Sequence, residues 1–248
     1  MHRNTGDHAI AAGVEDVVKV YGRGDAAVRA LDRVTLGFPA RRFTAIMGPS
    51  GSGKSTLMHC LAGLDTVDSG RVRIGRTDLT GLSDAALTRL RRNRAGFVFQ
   101  SFNLLPTLSA EDNIRLGLRL AGRTPDPAWF ATVVDTLGLR QRLRHKPSEL
   151  SGGQQQRVAC ARALVGRPDV VFADEPTGSL DSRSGAEVLG FLRTSVRELG
   201  QTVVMVTHDP VAASYADHGV LLADGRVAAH LARPTPDTVL AALAGLGA

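Results

Sequence analysis

Cysteine is scarce in this chain, with only 2 in 248 residues. Cys60 and Cys160 each lie in an apolar helical pattern and neither belongs to a C-x-x-C pair, so they read as reduced packing residues of a cytosolic protein and not as a disulfide framework. No His/Cys cluster is present either, which argues against a transition-metal site. Long apolar runs are also missing. Val170-Val171-Phe172-Ala173 and Thr202 to Val206 end far short of the ~20 residues that a membrane-crossing helix needs. The first residues, Met1 to His8, lack the apolar core of a secretory signal, so the sequence predicts a protein that is not exported. There is no internal repeat and no low-complexity segment. The formal net charge of +6 would suit nucleic acid or an anionic membrane face, but heavy Arg usage in an Ala/Gly/Arg-rich chain produces the same balance, so charge alone decides nothing. Hydrophobic content of 43% and charged content of 22% describe a globular chain of the size of one domain, residues 1–248, with room for an inserted lobe.

What the chain does have is Gly48-Pro49-Ser50-Gly51-Ser52-Gly53-Lys54-Ser55, followed by Thr56. This satisfies G-x-x-x-x-G-K-[ST], and it does so between a short apolar run, Phe43 to Met47, and a stretch of helical spacing, Ser55 to Ala62. The glycines allow backbone angles that a side chain would forbid, so that successive N–H groups turn inward around a polyphosphate. The helix start adds its positive dipole end. Lys54 would then reach the β/γ-phosphates and Ser55 a Mg²⁺ ion. A Gly/Ser-rich turn that only joins a strand to a helix is the structural alternative, and it leaves the Gly-Lys-Ser ending unexplained.

Along the chain, Val14 to Val20, Val34 to Phe38 and Phe43 to Met47 read as short strands of an antiparallel entry sheet. Tyr21 ends the first and precedes a Gly-rich turn, where a ring could either pack or stack on a base. Ser69 to Gly75 alternates as another strand, and Ser83 is placed to cap a helix running to Arg94. That helix has a basic tail, which a solvated end with favourable dipole placement explains better than contact with an anionic lipid or partner would. Gly96 to Phe99 reads as a buried strand delivering Gln100, whose amide could reach a metal or a water. From about 101 to 158 the character changes to helical patterns at Ala110 to Leu120 and Pro127 to Leu137, a helical insert. It closes on Leu150-Ser151-Gly152-Gly153-Gln154, where Ser151 can cap a helix from Gln155 to Val165 and the glycines expose N–H groups, a second helix start suited to an anion.

Val170 to Ala173 is an apolar run closed by two carboxylates, Asp174 and Glu175. A central parallel strand would deliver them at its carboxyl edge, alternation pointing Asp174 toward a metal and Glu175 toward a water. Asp181 follows in a turn into the next helix, as a cap or something more. Thr202 to Thr207 is another buried strand, ending in His208. Gly219 to Val227 reads as a hairpin with an Asp-Gly turn. Val239, Leu240, Leu243 and Leu246 form a short amphipathic tail that either packs or frays.

Taken in order, the phosphate loop, Gln100, Leu150 to Gln154, Val170 to Glu175, Ser179-Leu180-Asp181 and His208 resemble the full motif set of an ABC-type ATPase, over about residues 14 to 230. Gly96 to Pro106 and Pro147 to Arg157 are similar to the branch holding the macrolide-exporter and lipoprotein-release ATPases, with Ser179 standing where that branch usually carries Asn. The resemblance implies an α/β P-loop NTPase with a RecA-like core, an antiparallel β subdomain and an inserted helical subdomain. It implies ATP and Mg²⁺ as cofactors. It also implies an ATP-dependent homodimer, peripheral on the cytoplasmic face of a membrane, driving separate membrane-spanning permease subunits. Gly48, Ser50, Gly51, Ser52, Gly53, Lys54, Ser55 and Thr56 would hold the phosphates of one ATP, and Ser151, Gly152, Gly153 and Gln154 of the second copy would meet its γ-phosphate. Ser55, Gln100 and Asp174 would serve Mg²⁺, Glu175 the attacking water, His208 the γ-phosphate, Asp181 the dimer contact and Tyr21 the adenine. A soluble ABC-type ATPase acting on nucleic acid lacks support here, since neither a tandem unit nor a long coiled-coil insert is present, and no nucleic-acid partner is expected. A small-molecule kinase would leave Leu150 to Gln154 unexplained.

Overall fold

The computed structural model describes residues 9–246, so the reading of Met1 to His8 lies outside the described residues. Two sheets organise the chain. Ile10–Tyr21 (β1) and Val28–Pro39 (β2) form a long antiparallel ribbon in which Ala12 opposes Phe38, Val14 opposes Leu36 and Val17 opposes Val34, all buried on one face. Ser69–Ile74 (β4) joins the other side of β1, and the two-residue strand Thr77–Asp78 (β5) completes the order β2-β1-β4-β5.

Phe43–Met47 (β3) corrects the expected entry sheet, because it leaves the antiparallel ribbon for a second sheet of order β10-β9-β3-β8-β7-β6. There it runs parallel to Val203–Val206 (β8) and His218–Ala223 (β9). The physical reason is visible in its composition: all five of its residues are buried, as a strand covered on both faces requires, whereas Val34 to Phe38 alternates. Val170–Asp174 (β7) and Ala95–Phe99 (β6) continue the parallel array, and Arg226–Ala232 (β10) closes the other edge antiparallel to β9 through a two-residue turn. Asp224 (φ 47°) and Gly225 (φ 71°) both take the left-handed backbone that such a hairpin turn needs.

Alternation along the central strands divides the apolar residues between two cores. Val171 and Ala173 of β7 and Val203 and Met205 of β8 face helices Ala110–Leu120 (α3), Pro127–Thr136 (α4), Gly152–Leu164 (α5) and Ser182–Arg197 (α6). Val170, Phe172, Val204 and Val206 face the antiparallel sheet together with Lys54–Leu61 (α1) and Asp84–Arg94 (α2). The short α1 is buried through Leu57, Met58, Cys60 and Leu61, which explains its apolar composition and the position of one cysteine; Cys160 is enclosed in the other core. Pro210–Ala213 (α7) and Pro236–Ala244 (α8) finish the fold. The tail packs: Val239 is fully buried and Leu243 and Leu246 lie on the core, leaving Leu240 outward.

Candidate functional site

Parallel register assembles the site. Ile46 of β3 is level with Val206 of β8, Val206 with Asp174 of β7, and Asp174 with Phe99 of β6, so four strands end in one row. Two backbone bonds extend that row beyond the strands, from Thr207 N–H to Ile46 O (3.1 Å) and from Glu175 N–H to Val206 O (3.0 Å). The residues that follow are therefore delivered to one sheet edge: the loop from Gly48, then His208, Glu175 and Gln100. Open parallel sheets place ligands at this edge.

The loop from Gly48 to Gly53 winds through left-handed backbone at Gly48 (φ 145°), Gly51 (φ 77°) and Gly53 (φ 95°). Gly48 and Gly53 are also sterically required, since a Cβ would fall 2.0 Å from Leu222 O at the first and 2.3 Å from Ala30 O at the second. A Cβ on Gly51 would meet nothing within 4 Å, so this glycine borders open space. Seven helices, α2 through α8, start with a Ser, Asp or Thr side chain accepting from their first-turn N–H groups, but α1 starts at Gly53 with no side-chain cap. Its leading N–H groups, at Lys54, Ser55 and Thr56, have no partner within the helix. An uncapped helix start behind a glycine loop fits an anionic polyphosphate. Lys54 Nζ donates to Gly48 O (2.9 Å) and Pro49 O (2.7 Å), holding its charge across the loop. Burial keeps this ammonium below the usual lysine range, with Glu175 and Asp174 opposing the shift.

Asp174 ends β7 half-buried. Burial pushes its carboxyl above the usual range; His59 on α1 opposes that push and the Glu175 charge adds to it. With the Ser55 hydroxyl and the Gln100 amide, it offers the all-oxygen donor set that a hard cation such as Mg²⁺ takes. Gln100 is exposed directly after β6, its side chain against Gly178, where a Cβ would fall 2.8 Å from Nε2. Ser179 fixes the Gln100 backbone by donating from Oγ to its carbonyl (2.8 Å).

Glu175 departs from the expected strand alternation. Its φ of 44° is left-handed, so the chain turns out of β7 at this residue, and a turn instead of a pleat separates the two carboxylates. The Glu175 carboxylate is gripped from β8: Oε1 accepts from His208 N–H (3.0 Å) and sits 2.8 Å from His208 Nδ1, and Thr207 Oγ1 donates to Oε2 (3.3 Å). The His208 ring is otherwise open to solvent.

The second helix start begins earlier than expected, at Gly152, because Ser151 Oγ accepts from Gln154 N–H (3.3 Å) while Gln154 Oε1 accepts from Ser151 N–H (3.0 Å). Ser151 is exposed and Gly152 half-buried, but Gly153 is covered by Ser184, with a virtual Cβ only 3.0 Å from that side chain. Asp181 caps α6, accepting from Arg183 N–H, Ser184 N–H and Ser184 Oγ, and these bonds hold its carboxyl below the usual range. Tyr21 stands at the end of β1, 42% exposed. Among the described residues, no hydrogen bond or strand pairing joins Ser151 to Gln154 or Asp181 to the loop of the same chain; they occupy the starts of α5 and α6.

Sequence reasoning missed Gln156. It is fully buried on α5, and its Nε2 donates to Phe99 O (3.0 Å) and Pro176 O (2.6 Å), the carbonyls just before Gln100 and just after Glu175. The Gln154-Gln155-Gln156 run hid it: only the third lies on the inward face of α5, one turn below Ser151 and Gly152.

Comparison with known proteins gives a consistent result. The family model described as ABC transporter matches residues 31–178. The chain is 44% identical over 216 residues to a macrolide export ATP-binding/permease protein of Marinobacter nauticus, covering 86% of this chain and 33% of that protein, so it spans about a third of such relatives. It is 45% identical to the ATP-binding protein of a lipoprotein-releasing system of Geobacter metallireducens, covering 87% of this chain and 97% of that one. Among solved structures, an ATP-binding cassette crystallised as a dimer in a post-hydrolysis state with ADP and Pi superposes with a TM-score of 0.79 at 38% identity, covering 90% of this chain and 98% of the other.

Proposed function

The chain belongs to the ABC transporter ATP-binding family, and from that premise we propose that it hydrolyses ATP as a nucleotide-gated dimer that drives membrane-spanning permease subunits. The observation carrying this reading is the convergence on one sheet edge of an uncapped, glycine-wrapped helix start with Asp174, Glu175 and His208.

In this reading Lys54 and the N–H groups of the loop hold the triphosphate, and Tyr21 presents its ring to the adenine. Ser55, Gln100 and Asp174 would hold Mg²⁺, which neutralises charge on the β- and γ-phosphates when bound. Glu175 takes or orients the proton of the attacking water. Phosphoryl transfer needs little beyond placement and charge neutralisation, so the preset grip of Thr207 and His208 on this carboxylate is the chain's main catalytic investment. The backbone N–H of His208 keeps that carboxylate oriented while the imidazole is free to exchange toward the γ-phosphate. The start of α5, with Ser151, Gly152, Gly153 and Gln154, completes the site of the second copy, and Asp181 sits at the seam. Gly153, covered by Ser184, contributes backbone only.

The helical part, about 101–158, acts as the lobe that moves on closure, and the chain resides on the cytoplasmic membrane face by attachment to its permease. No helix among the described residues is long and apolar enough to cross a membrane. The relatives point to export or lipoprotein release as the class of work. The test is phosphate release by the purified chain with Mg-ATP: ADP and phosphate in equal amounts with no phosphorylated acceptor supports the reading, and persistence of the rate in Lys54→Ala contradicts it.

A further inference from the structure

The exposed ring of Tyr21 is not a loose side chain. Its hydroxyl donates to Asp65 Oδ2 (2.6 Å), and the other oxygen of the same carboxylate accepts from Lys19 Nζ (2.8 Å) and from the Thr66 N–H (2.7 Å). Lys19 is itself nearly buried, donates again to Thr66 O (2.6 Å), and lies 5.1 Å from the centroid of the Tyr21 ring. Asp65 follows directly on α1, tied back to it by its own N–H to His59 O (3.3 Å) and by Leu64 N–H to the same carbonyl (2.8 Å). One step further, Asp68 accepts from Val20 N–H (2.6 Å) and Asp68 N–H donates to Val18 O (2.9 Å), so the segment after the phosphate helix is stitched to the end of β1. Burial and the Asp65 bond hold the Tyr21 phenol protonated above its usual range, so it remains a donor.

This arrangement solves a registration problem. Tyr21 belongs to the antiparallel sheet and the phosphate loop to the parallel one, and a molecule held by both needs their separation fixed. We infer that Asp65 is a positioning residue for nucleotide binding: it locks the Tyr21 ring to the far end of α1, so that the base platform and the phosphate cradle move as one unit, with Lys19 as the counter-ion that keeps Asp65 in place. Because the phenol O–H is already donated to Asp65, Tyr21 offers a base only its ring face. The inference rests on the proposed role of Tyr21 as the adenine platform.

The experiment measures binding of two probes to the full chain by calorimetry, Mg-ATP and inorganic Mg-tripolyphosphate, which carries the phosphates without a base. Stacking of one base on an aromatic ring is worth ~1–3 kcal/mol, so loss of the platform weakens binding by roughly 5- to 150-fold. Asp65→Ala is expected to weaken ATP by several-fold to 10-fold, Asp65→Asn, which retains an acceptor for the phenol, by less, and both to leave tripolyphosphate unchanged. Adding Asp65→Ala to Tyr21→Ala is expected to cost nothing more, since the ring is already gone. Equal weakening of both probes in Asp65→Asn as well as Asp65→Ala overturns the inference in favour of a general structural role. So does full ATP affinity in Asp65→Ala alongside a loss in Tyr21→Ala. Unchanged ATP affinity in Tyr21→Ala itself instead overturns the adenine role of Tyr21.

Discussion

His208 Nδ1 lies 2.8 Å from Glu175 Oε1, and the backbone N–H of His208 donates to the same oxygen at 3.0 Å. The carboxylate just after one strand is thus held by a residue just after its neighbour, beside the bond from Glu175 N–H to Val206 O. Replacing His208 by Ala removes the ring and leaves the backbone bond. A hydrogen bond to a charged group is worth about 1.5–3 kcal/mol, so steady-state ATP hydrolysis is expected to fall by about 10- to 150-fold, with ATP affinity changed far less. Equal losses in both quantities would assign His208 to ground-state binding.

Lys54 sets a pH dependence at the alkaline end. The protonated ammonium is the form that binds phosphate, and burial lowers its pKa from the ordinary 10.5. ATP affinity is therefore expected to fall as pH rises through that depressed value, at lower pH than an exposed lysine would dictate. In Lys54→Arg the guanidinium stays charged, and the alkaline loss should vanish even if affinity is lower throughout. Titration of ATP binding between neutral and alkaline pH checks both. In its proposed role as a metal donor, Asp174 gives the opposite limb: its carboxyl is raised, so dependence on Mg²⁺ should weaken as pH falls through a value above the usual 3.8.

Gln156 offers a test away from the reacting atoms. Gln156→Leu keeps the volume but orphans the carbonyls of Phe99 and Pro176 inside the core. Each unsatisfied buried acceptor costs about 1–3 kcal/mol, so the two together should show as a loss of about 2–6 kcal/mol in denaturant unfolding. An unchanged midpoint would mean that the two carbonyls find other partners.

The loop glycines separate collision from conformation. Gly51→Ala meets open space and should cost about 1–2 kcal/mol for its left-handed backbone alone. Gly48→Ala brings Cβ within 2.0 Å of Leu222 O and should be more damaging, displacing β9 from the loop. Comparing the two unfolding midpoints decides whether Gly48 is held by the sheet.

The parts legible in the sequence were those written locally. The phosphate loop between its strand and helix, the Ser83 and Ser151 caps and the Asp224-Gly225 turn each declare themselves within a few residues, and the structure places them as expected, although α5 starts earlier, at Gly152; of the two carboxylates after Ala173 only Asp174 stays in the strand. Pairing partners were less legible. Phe43 to Met47 reads as a strand in any window, but its place beside Val203 to Val206 depends on a segment 160 residues away. The left-handed turn at Glu175 departs from simple alternation where its partners come from a segment distant in sequence: its N–H donates to Val206 O, and its carboxylate accepts from Thr207 Oγ1 and His208 N–H. Gln156 and Asn113 were invisible for the same reason. Asn113 is fully buried and fixes the 105–109 turn with four bonds, to the N–H and carbonyl of Leu105 and to the carbonyls of Leu108 and Ser109, and its letter does not distinguish it from a solvated asparagine.

The proposed function requires two copies to close on nucleotide, one contributing the Gly48 to Ser55 cradle and the other the exposed start of α5. Glu175→Gln removes the proton acceptor while keeping the side chain's size, so hydrolysis should fall by about 10²–10⁴-fold with ATP binding intact. The decisive measurement is the mass of this variant in solution with and without Mg-ATP. The expected mass is about twice the 26.2 kDa of one chain with ATP, and that of a single chain both without ATP and when Ser151→Arg is added. A Glu175→Gln protein that saturates with ATP and stays at 26.2 kDa would contradict it.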